Sequence, residues 1–191
     1  RPPRSTLFPY TTLFRSAVSC GIGFDAAVCA EAMSSRIKDT MNRIGLGKLT
    51  YLGIALKQLI TARKVSCTLT LEDKVHDKKE SVELPRFLFV TCMSHRYEGG
   101  GFMFCPPAVD HDGVLDLCSV GNISKGLVLL ALPTAFFGKH YFVKGINAHT
   151  ATQMSITASA PLWVHTDGEV TRKSRSFRVE CLPGAIRMIT P

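Results

Sequence analysis

Residues 97–116, YEGGGFMFCPPAVDHDGVLD, decide how the rest of this chain is read. Three consecutive glycines, Gly99, Gly100 and Gly101, let the backbone approach a ligand or a neighbouring segment closely. Pro106 and Pro107 then fix φ and remove two N–H donors, so neither a helix nor a central strand runs through them. A short acidic turn, Asp110-His111-Asp112-Gly113, leads into the strand-like run VLDLCSV. A loop this rich in special-purpose residues, set between two apolar strands, is where a scaffold usually carries a site. The plainer alternative is a long β-connection whose acids only solvate it.

Upstream of this loop, RFLFVTCM (86–93) reads as a short, buried strand and DKVHDKKE as a solvated turn. Val65, Cys67, Leu69 and Leu71 alternate with polar residues, the period of a half-buried strand. Before Val65 the character is helical: DAAVCAEAMSSRIKDTMNRI, a break at Gly45-Leu46-Gly47, then LTYLGIALKQLITARK. Leu49, Leu52, Leu56, Leu59 and Ile60 keep the i, i+3, i+4 spacing of a buried helical stripe. Downstream, ISKGLVLLALPTAFFGKH predicts a helix with Ser124 near its start and an interruption at Pro133. INAHTATQMSITAS, PLWVHTDGEV, SFRVECL and AIRMI follow as strands between turns. Strands in a row with helices near the N-terminal part predict an α+β, mainly β domain of sandwich type.

The 191 residues make one domain of good size, and 46% hydrophobic with 20% charged residues is enough for a real core. The net charge of +8 favours an anionic partner such as phosphate, nucleic acid or a membrane surface, or else a solvated positive face. A local basic cluster falls at Arg172, Lys173, Arg175 and Arg178. Seven cysteines without a CxxC pair, several in strand-like runs, read as buried reduced thiols. The most apolar run, Leu127 to Phe137, is well short of a bilayer span of roughly 20 residues and contains Pro133. Residues 1–16, RPPRSTLFPYTTLFRS, have no period and no cleavage-site pattern, and read as an adapter-like, non-native leader before Ala17.

Two further places carry candidate chemistry. Gly21-x-Gly23-x-x-Ala26 superficially fits a dinucleotide fingerprint, but no βαβ partner and no acid about 20 residues on accompany it. A strand ending at Cys20, a glycine turn and Asp25 opening a helix account for it better, with Asp25 as a cap or a ligand-facing acid. In Trp163-Val-His-Thr-Asp167-Gly168-Glu169, Asp-Gly is a common hairpin turn, while either acid is placed to take a hydroxyl proton or bind a metal. His165 reads as a strand residue with its hydrogen bonding satisfied.

Taken together, GIGFDAAV, LGKLTYL, YEGGGFMFCPPAVDHDGVLDL, HTDGEV and AIRMI occur in an order that resembles the diacylglycerol kinase family, which includes bacterial lipid kinases, sphingosine kinases and ceramide kinases. The resemblance covers Ala17 to Pro191 and implies the C-terminal β-sandwich domain of a two-domain lipid kinase. It implies that Asp112 holds a structural Mg²⁺ with the carbonyls of Val109 and Val114, that Glu169 activates the lipid hydroxyl with Asp167 beside it, and that Asp25 contacts the polar end of the substrate. ATP and Mg²⁺ are the implied cofactors. Diacylglycerol or a related lipid is the implied substrate, at the inner, cytoplasmic membrane face. No nucleic acid is implied, and a homodimer is compatible. The family's GGDGT-type phosphate loop does not occur in this sequence, so the resemblance implies a nucleotide-binding domain absent from residues 17–191 and a fragment inactive alone. Cys92, Met93 and Ser94 stand where family members often have an Asn. Two rivals stay open: a non-catalytic lipid-binding module, and a kinase of a soluble substrate resembling NAD kinases.

Overall fold

The computed structural model describes residues 15–34, 47–63, 65–98 and 101–185. Its elements in chain order are β1 (Ser19–Gly23), α1 (Phe24–Ser34), α2 (Gly47–Thr61), β2 (Val65–Asp73), β3 (Lys78–Met93), β4 (Leu115–Gly121), α3 (Lys125–Ala131), two 3₁₀ turns (Leu132–Phe137 and His140–Phe142), β5 (Ile146–Ala151), β6 (Gln153–Thr166) and β7 (Glu169–Glu180). The mainly β, sandwich-like architecture expected from the sequence is what the chain adopts.

All seven strands join one antiparallel sheet. The long strands β3 and β6 form its frame, and the lane between them holds β2 and β1 end to end. β2 pairs with the first halves of both, Leu69 lying opposite Val82 and Ile156. β1 pairs with their second halves, Ile22 lying opposite Val90 and Val164. β4 and β5 extend the sheet beyond β3, and β7 lies along β6. A strand as long as β3 has to bend to stay in a sandwich. Its register with β2 slips between Val65 and Cys67, opposite Pro85, a residue that cannot donate to the ladder. β6 slips similarly against β7 around Pro161.

Alternation along the bent strands separates two cores. Ile22, Leu69, Phe87, Val90, Leu117, Met154 and Ile156 fill the space inside the curled sheet. Phe89, Met93, Cys118 and Val120 point the other way, against Leu59 of α2, Val128 and Ala131 of α3, and Cys105 of the loop after β3. All seven cysteines are free thiols. Burial pushes Cys20, Cys67 and Cys118 up to about 12, so they serve as packing groups.

The segment read as one short strand, 86–93, is the second half of a 16-residue strand. INAHTATQMSITAS is two strands, β5 and β6, with a corner at Thr152 where Thr152 N–H donates to Glu72 O at 3.0 Å. The expected helical stripe narrows. Leu59 is buried, but Leu56 and Ile60 are exposed, because α2 lies against α1 and α3 and not flat on the sheet. Leu49 and Leu52 lie outside the residues whose side chains are described, as do the stretch 35–46 and, from AIRMI, residues 186–189. The helix expected after Ser124 is there. Ser124 caps it by accepting from Leu127 N–H at 3.2 Å, and the helix tightens to 3₁₀ at Pro133. Among the described residues, no helix is long and apolar enough to cross a membrane.

Candidate functional site

The end of the sheet where β1 runs into α1 gathers the polar residues that the sequence scatters. β1 sits between β3 and β6, which brings the start of α1 against the end of β6. There Asp25 Oδ2 accepts from His165 Nε2 at 2.6 Å. The backbone N–H of Gly168 donates to His165 Nδ1 at 3.2 Å, so the ring proton sits on Nε2. His165 is almost fully buried. Burial works against its charged form, but the hydrogen bond and the charge of Asp25, with Glu98 and Asp167 nearby, raise it above the ordinary imidazole value. Room for this pair exists because Gly21 lies opposite His165 in the ladder, and a Cβ there would collide with both His165 and Asp25.

Glu98 completes the cluster. Its Oε1 lies 3.7 Å from His165 Nε2 and accepts from the Ser19 hydroxyl, and its Oε2 accepts from Thr91 Oγ1 at 3.3 Å. Burial and the charge of Asp25 push Glu98 up to about 6, against those hydrogen bonds. Its main chain pairs in both directions with Phe102, at 2.9 and 3.1 Å. Gly101, just before Phe102, has φ 106°, while Gly99 and Gly100 lie outside the described residues.

Asp167 and Gly168 have φ of 51° and 82° and form the two-residue hairpin between β6 and β7. The turn expected from Asp-Gly is therefore real, and the Asp167 side chain has a further role. Its carboxylate accepts from the N–H groups of Ala17, Val18 and Ser19 at 2.9 to 3.0 Å and from the Ser16 hydroxyl at 2.6 Å, tying the start of β1 to the hairpin. Partial burial would raise its pKa, but these four donors outweigh that and hold it below the usual carboxylate range. Glu169, the first residue of β7, is exposed and lies opposite Thr166 across the hairpin.

An open groove of about 570 Å³ starts at this same end. Ala30, Glu31, Met33 and Ser34 of α1, Gln58 of α2, Trp163 of β6 and Val170 of β7 line it, so the residue after Glu169 forms part of its wall. Lys173 covers one face of Trp163, its Nζ 4.5 Å from the ring centre.

Asp112, Val109 and Val114 lie elsewhere, in the loop before β4. Asp112 is exposed and its Oδ1 accepts from Val114 N–H at 3.1 Å. Near it is Asp116, 5% exposed, which burial and the charge of Asp112 push up to about 6. Two carboxylates near enough for one charge to act on the other suit a hard divalent cation. A softer donor set, Asp25, Cys29 and His165, also converges within 4.8 Å. The Gly168 donation into Nδ1 works against a metal there, because a ligating Nε2 needs the ring proton on Nδ1.

The structure thus brings Asp25, Asp167 and Glu169 to one end of the sheet and sets Asp112, Val109 and Val114 apart. Glu98 was not singled out from the sequence, although its place next to three glycines was a signal. His165, read as a satisfied strand residue, is that and also the partner of Asp25.

Comparison with known proteins agrees with this architecture. The "Probable lipid kinase YegS-like" proteins of Xanthomonas euvesicatoria pv. vesicatoria and Xanthomonas campestris pv. campestris are 35% identical over 98 residues and 30% identical over 148 residues. Those alignments cover 50% and 76% of this chain, and 31% and 45% of the relatives. A "Diacylglycerol kinase" of Mycobacterium tuberculosis is 25% identical over 166 residues, 86% of this chain and 51% of that protein. The chain therefore spans about a third to a half of the length of the relatives it matches. The crystal structure of a diacylglycerol kinase from Bacillus anthracis strain Sterne shares the fold, with a TM-score of 0.55 at 21% identity over 88% of this chain and 50% of that one. A family model described as the YegS C-terminal NAD kinase beta sandwich-like domain matches residues 18–190, and the chain belongs to that family.

Proposed function

We propose that this chain is the substrate-side domain of an ATP-dependent lipid kinase that phosphorylates a hydroxyl of diacylglycerol or a related lipid. The observation that supports this reading is that exposed Glu169 immediately precedes Val170, which walls the groove together with Met33 and Trp163. A lipid with its hydroxyl at Glu169 would lay its acyl chains along that groove. Glu169 takes the hydroxyl proton as the oxygen attacks the γ-phosphorus; ADP leaves, and the proton passes from Glu169 to water. Asp25, oriented through Oδ2 by His165, offers its other oxygen to the polar end of the lipid. Asp167 holds the β6–β7 hairpin, and with it Glu169, in place against β1.

Phosphoryl transfer depends mainly on positioning and on neutralising charge around the transferred group. In this reading ATP is brought by a nucleotide-binding domain on another segment, and the 191-residue chain binds lipid without turning it over. Asp112 would hold Mg²⁺ with the carbonyls of Val109 and Val114, and Asp116 close behind. The ion would supply structural charge neutralisation at the mouth of β4.

Trp163, the single tryptophan of the chain, makes the groove testable. Titrating the chain with dioctanoylglycerol is expected to shift Trp163 emission saturably, while NAD leaves it unchanged. A response to NAD and none to the lipid would favour a soluble substrate.

A further inference from the structure

Between Asp116 and Asp167 the sequence contains no Asp or Glu at all, while Lys125, Lys139 and Lys144 fall within that stretch. The same stretch carries the most exposed apolar surface of the described residues. α3 buries Val128 and Ala131 against the second core, yet Leu127, Leu129 and Leu130 on its other sides face water. Phe136, Phe137 and Phe142 of the two 3₁₀ turns continue this surface. Leu130 is 73% exposed, Phe137 74% and Phe142 88%. Ile60, at the end of α2, adjoins it through Lys125, whose Nζ donates to Ile60 O at 2.5 Å. A helix that is apolar all round needs cover on its outer side as well as its inner one. Contiguous exposed apolar side chains of this kind mark an interaction surface.

The exposure is built into the fold. Phe136 stacks on Phe102 at 4.2 Å, and Phe102 on Phe104 at 5.7 Å. Gly138 closes the first 3₁₀ turn at φ 64°, packed so closely on Pro106 and Met103 that a Cβ would not fit. Lys139 N–H donates to Thr134 O at 2.9 Å, which fixes the turn that presents Phe137. Lys139 and Lys144, both exposed, flank Phe142.

We propose that Leu127–Phe142, with Lys139 and Lys144, docks on the surface of an anionic phospholipid bilayer. Large apolar side chains flanked only by cations match the acyl boundary and the charged headgroups of such a surface. A protein partner of ordinary mixed charge would find no acid to pair with across 50 residues of chain. The docking segment also connects to the polar cluster. Phe136 stacks on Phe102, Phe102 pairs its main chain with Glu98, and Glu98 lies 3.7 Å from His165 Nε2. The proposal deepens the lipid reading above, but its test involves neither ATP nor phosphorylation.

The experiment is co-sedimentation of the 191-residue chain with vesicles of phosphatidylcholine and phosphatidylglycerol at 3:1, against vesicles of phosphatidylcholine alone. Binding is expected only with phosphatidylglycerol present. The triple variant Leu130→Ser, Phe137→Ser, Phe142→Ser should lose at least tenfold in partitioning with an unchanged far-ultraviolet circular dichroism spectrum. The pair Lys139→Glu, Lys144→Glu, which leaves the apolar residues intact, should lose a similar amount. Equal binding by parent and both variants, or no binding by the parent, overturns the proposal. So does a parent dimer in sedimentation equilibrium that the triple variant disperses, which would assign the surface to a second copy of the chain. A chain that fails to bind vesicles but still shows the saturable Trp163 response to dioctanoylglycerol would remove the docking surface and leave the lipid reading standing.

Discussion

His165 Nε2 donates to Asp25 Oδ2 at 2.6 Å across 140 residues of chain, and this bond fixes the end of β6 to the start of α1. It exists because β1 lies between β3 and β6 and has glycine at the one position facing the pair. Replacing Gly21 with alanine forces the imidazole and the carboxylate apart inside a packed site. We expect a loss of about 2–4 kcal/mol in urea unfolding, the range of severe overpacking and broken buried polar pairs. Gly53→Ala, where an added Cβ meets nothing, should change stability little or raise it slightly.

Glu98 gives the cluster a pH signature. Its folded pKa of about 6 stands above the ordinary glutamate value, so ionising it costs more in the folded than in the unfolded state. Stability therefore falls as pH rises from the unfolded pKa through about 6. Glu98→Gln removes that penalty. It should stabilise the chain by up to about 2 kcal/mol at pH 8, and the gain should disappear below about pH 4. Urea midpoints of parent and variant at the two pH values check this.

Asp167 has the opposite sign. Its pKa is depressed by four donors, so its contribution is full above the unfolded pKa and is lost as pH falls through the lower, folded one. Asp167→Ala leaves the N–H groups of Ala17, Val18 and Ser19 without their acceptor. A cost of about 1–2 kcal/mol is expected, with faster amide exchange confined to the start of β1. Uniformly faster exchange would mean that the carboxylate does not act locally.

Asp112 and Asp116 predict a metal-dependent shift. Burial and, after it, the Asp112 charge push Asp116 up; Mg²⁺ at Asp112 would neutralise that charge and should raise the melting temperature by about 2–4 °C for each kcal/mol of binding linkage. Asp112→Asn keeps the acceptor for Val114 N–H and should abolish the Mg²⁺ response. A shift that survives in this variant would place the ion elsewhere.

The sequence made much of this fold legible because strands and turns leave local marks. Alternation from Val65 to Leu71 predicts β2, Ser124 marks the start of α3, and Asp167-Gly168 marks a hairpin. Registers are not local. Nothing in the spacing of Asp25, Glu98 and His165 shows that one lane of the sheet joins them, since their meeting depends on β1 and β2 sharing the space between β3 and β6. The buried helical stripe is narrower than its period suggests for a related reason: Leu56 and Ile60 keep the right period, but α2 leans on other helices and turns these two outward. The glycine turn expected after Cys20 is instead strand: β1 runs on to Gly23, and Gly21 inside it marks a close approach of neighbouring side chains.

The central claim is that Glu169 takes the proton from a lipid hydroxyl. Its most direct test is the transfer of labelled phosphate from ATP to dioctanoylglycerol by the complete kinase that contains this domain, with Glu169→Gln beside the parent. A fall in kcat of at least about 100-fold is expected, the usual weight of a positioned general base, with the Trp163 lipid titration unchanged. A Glu169→Gln protein that turns over at the parent rate would contradict it.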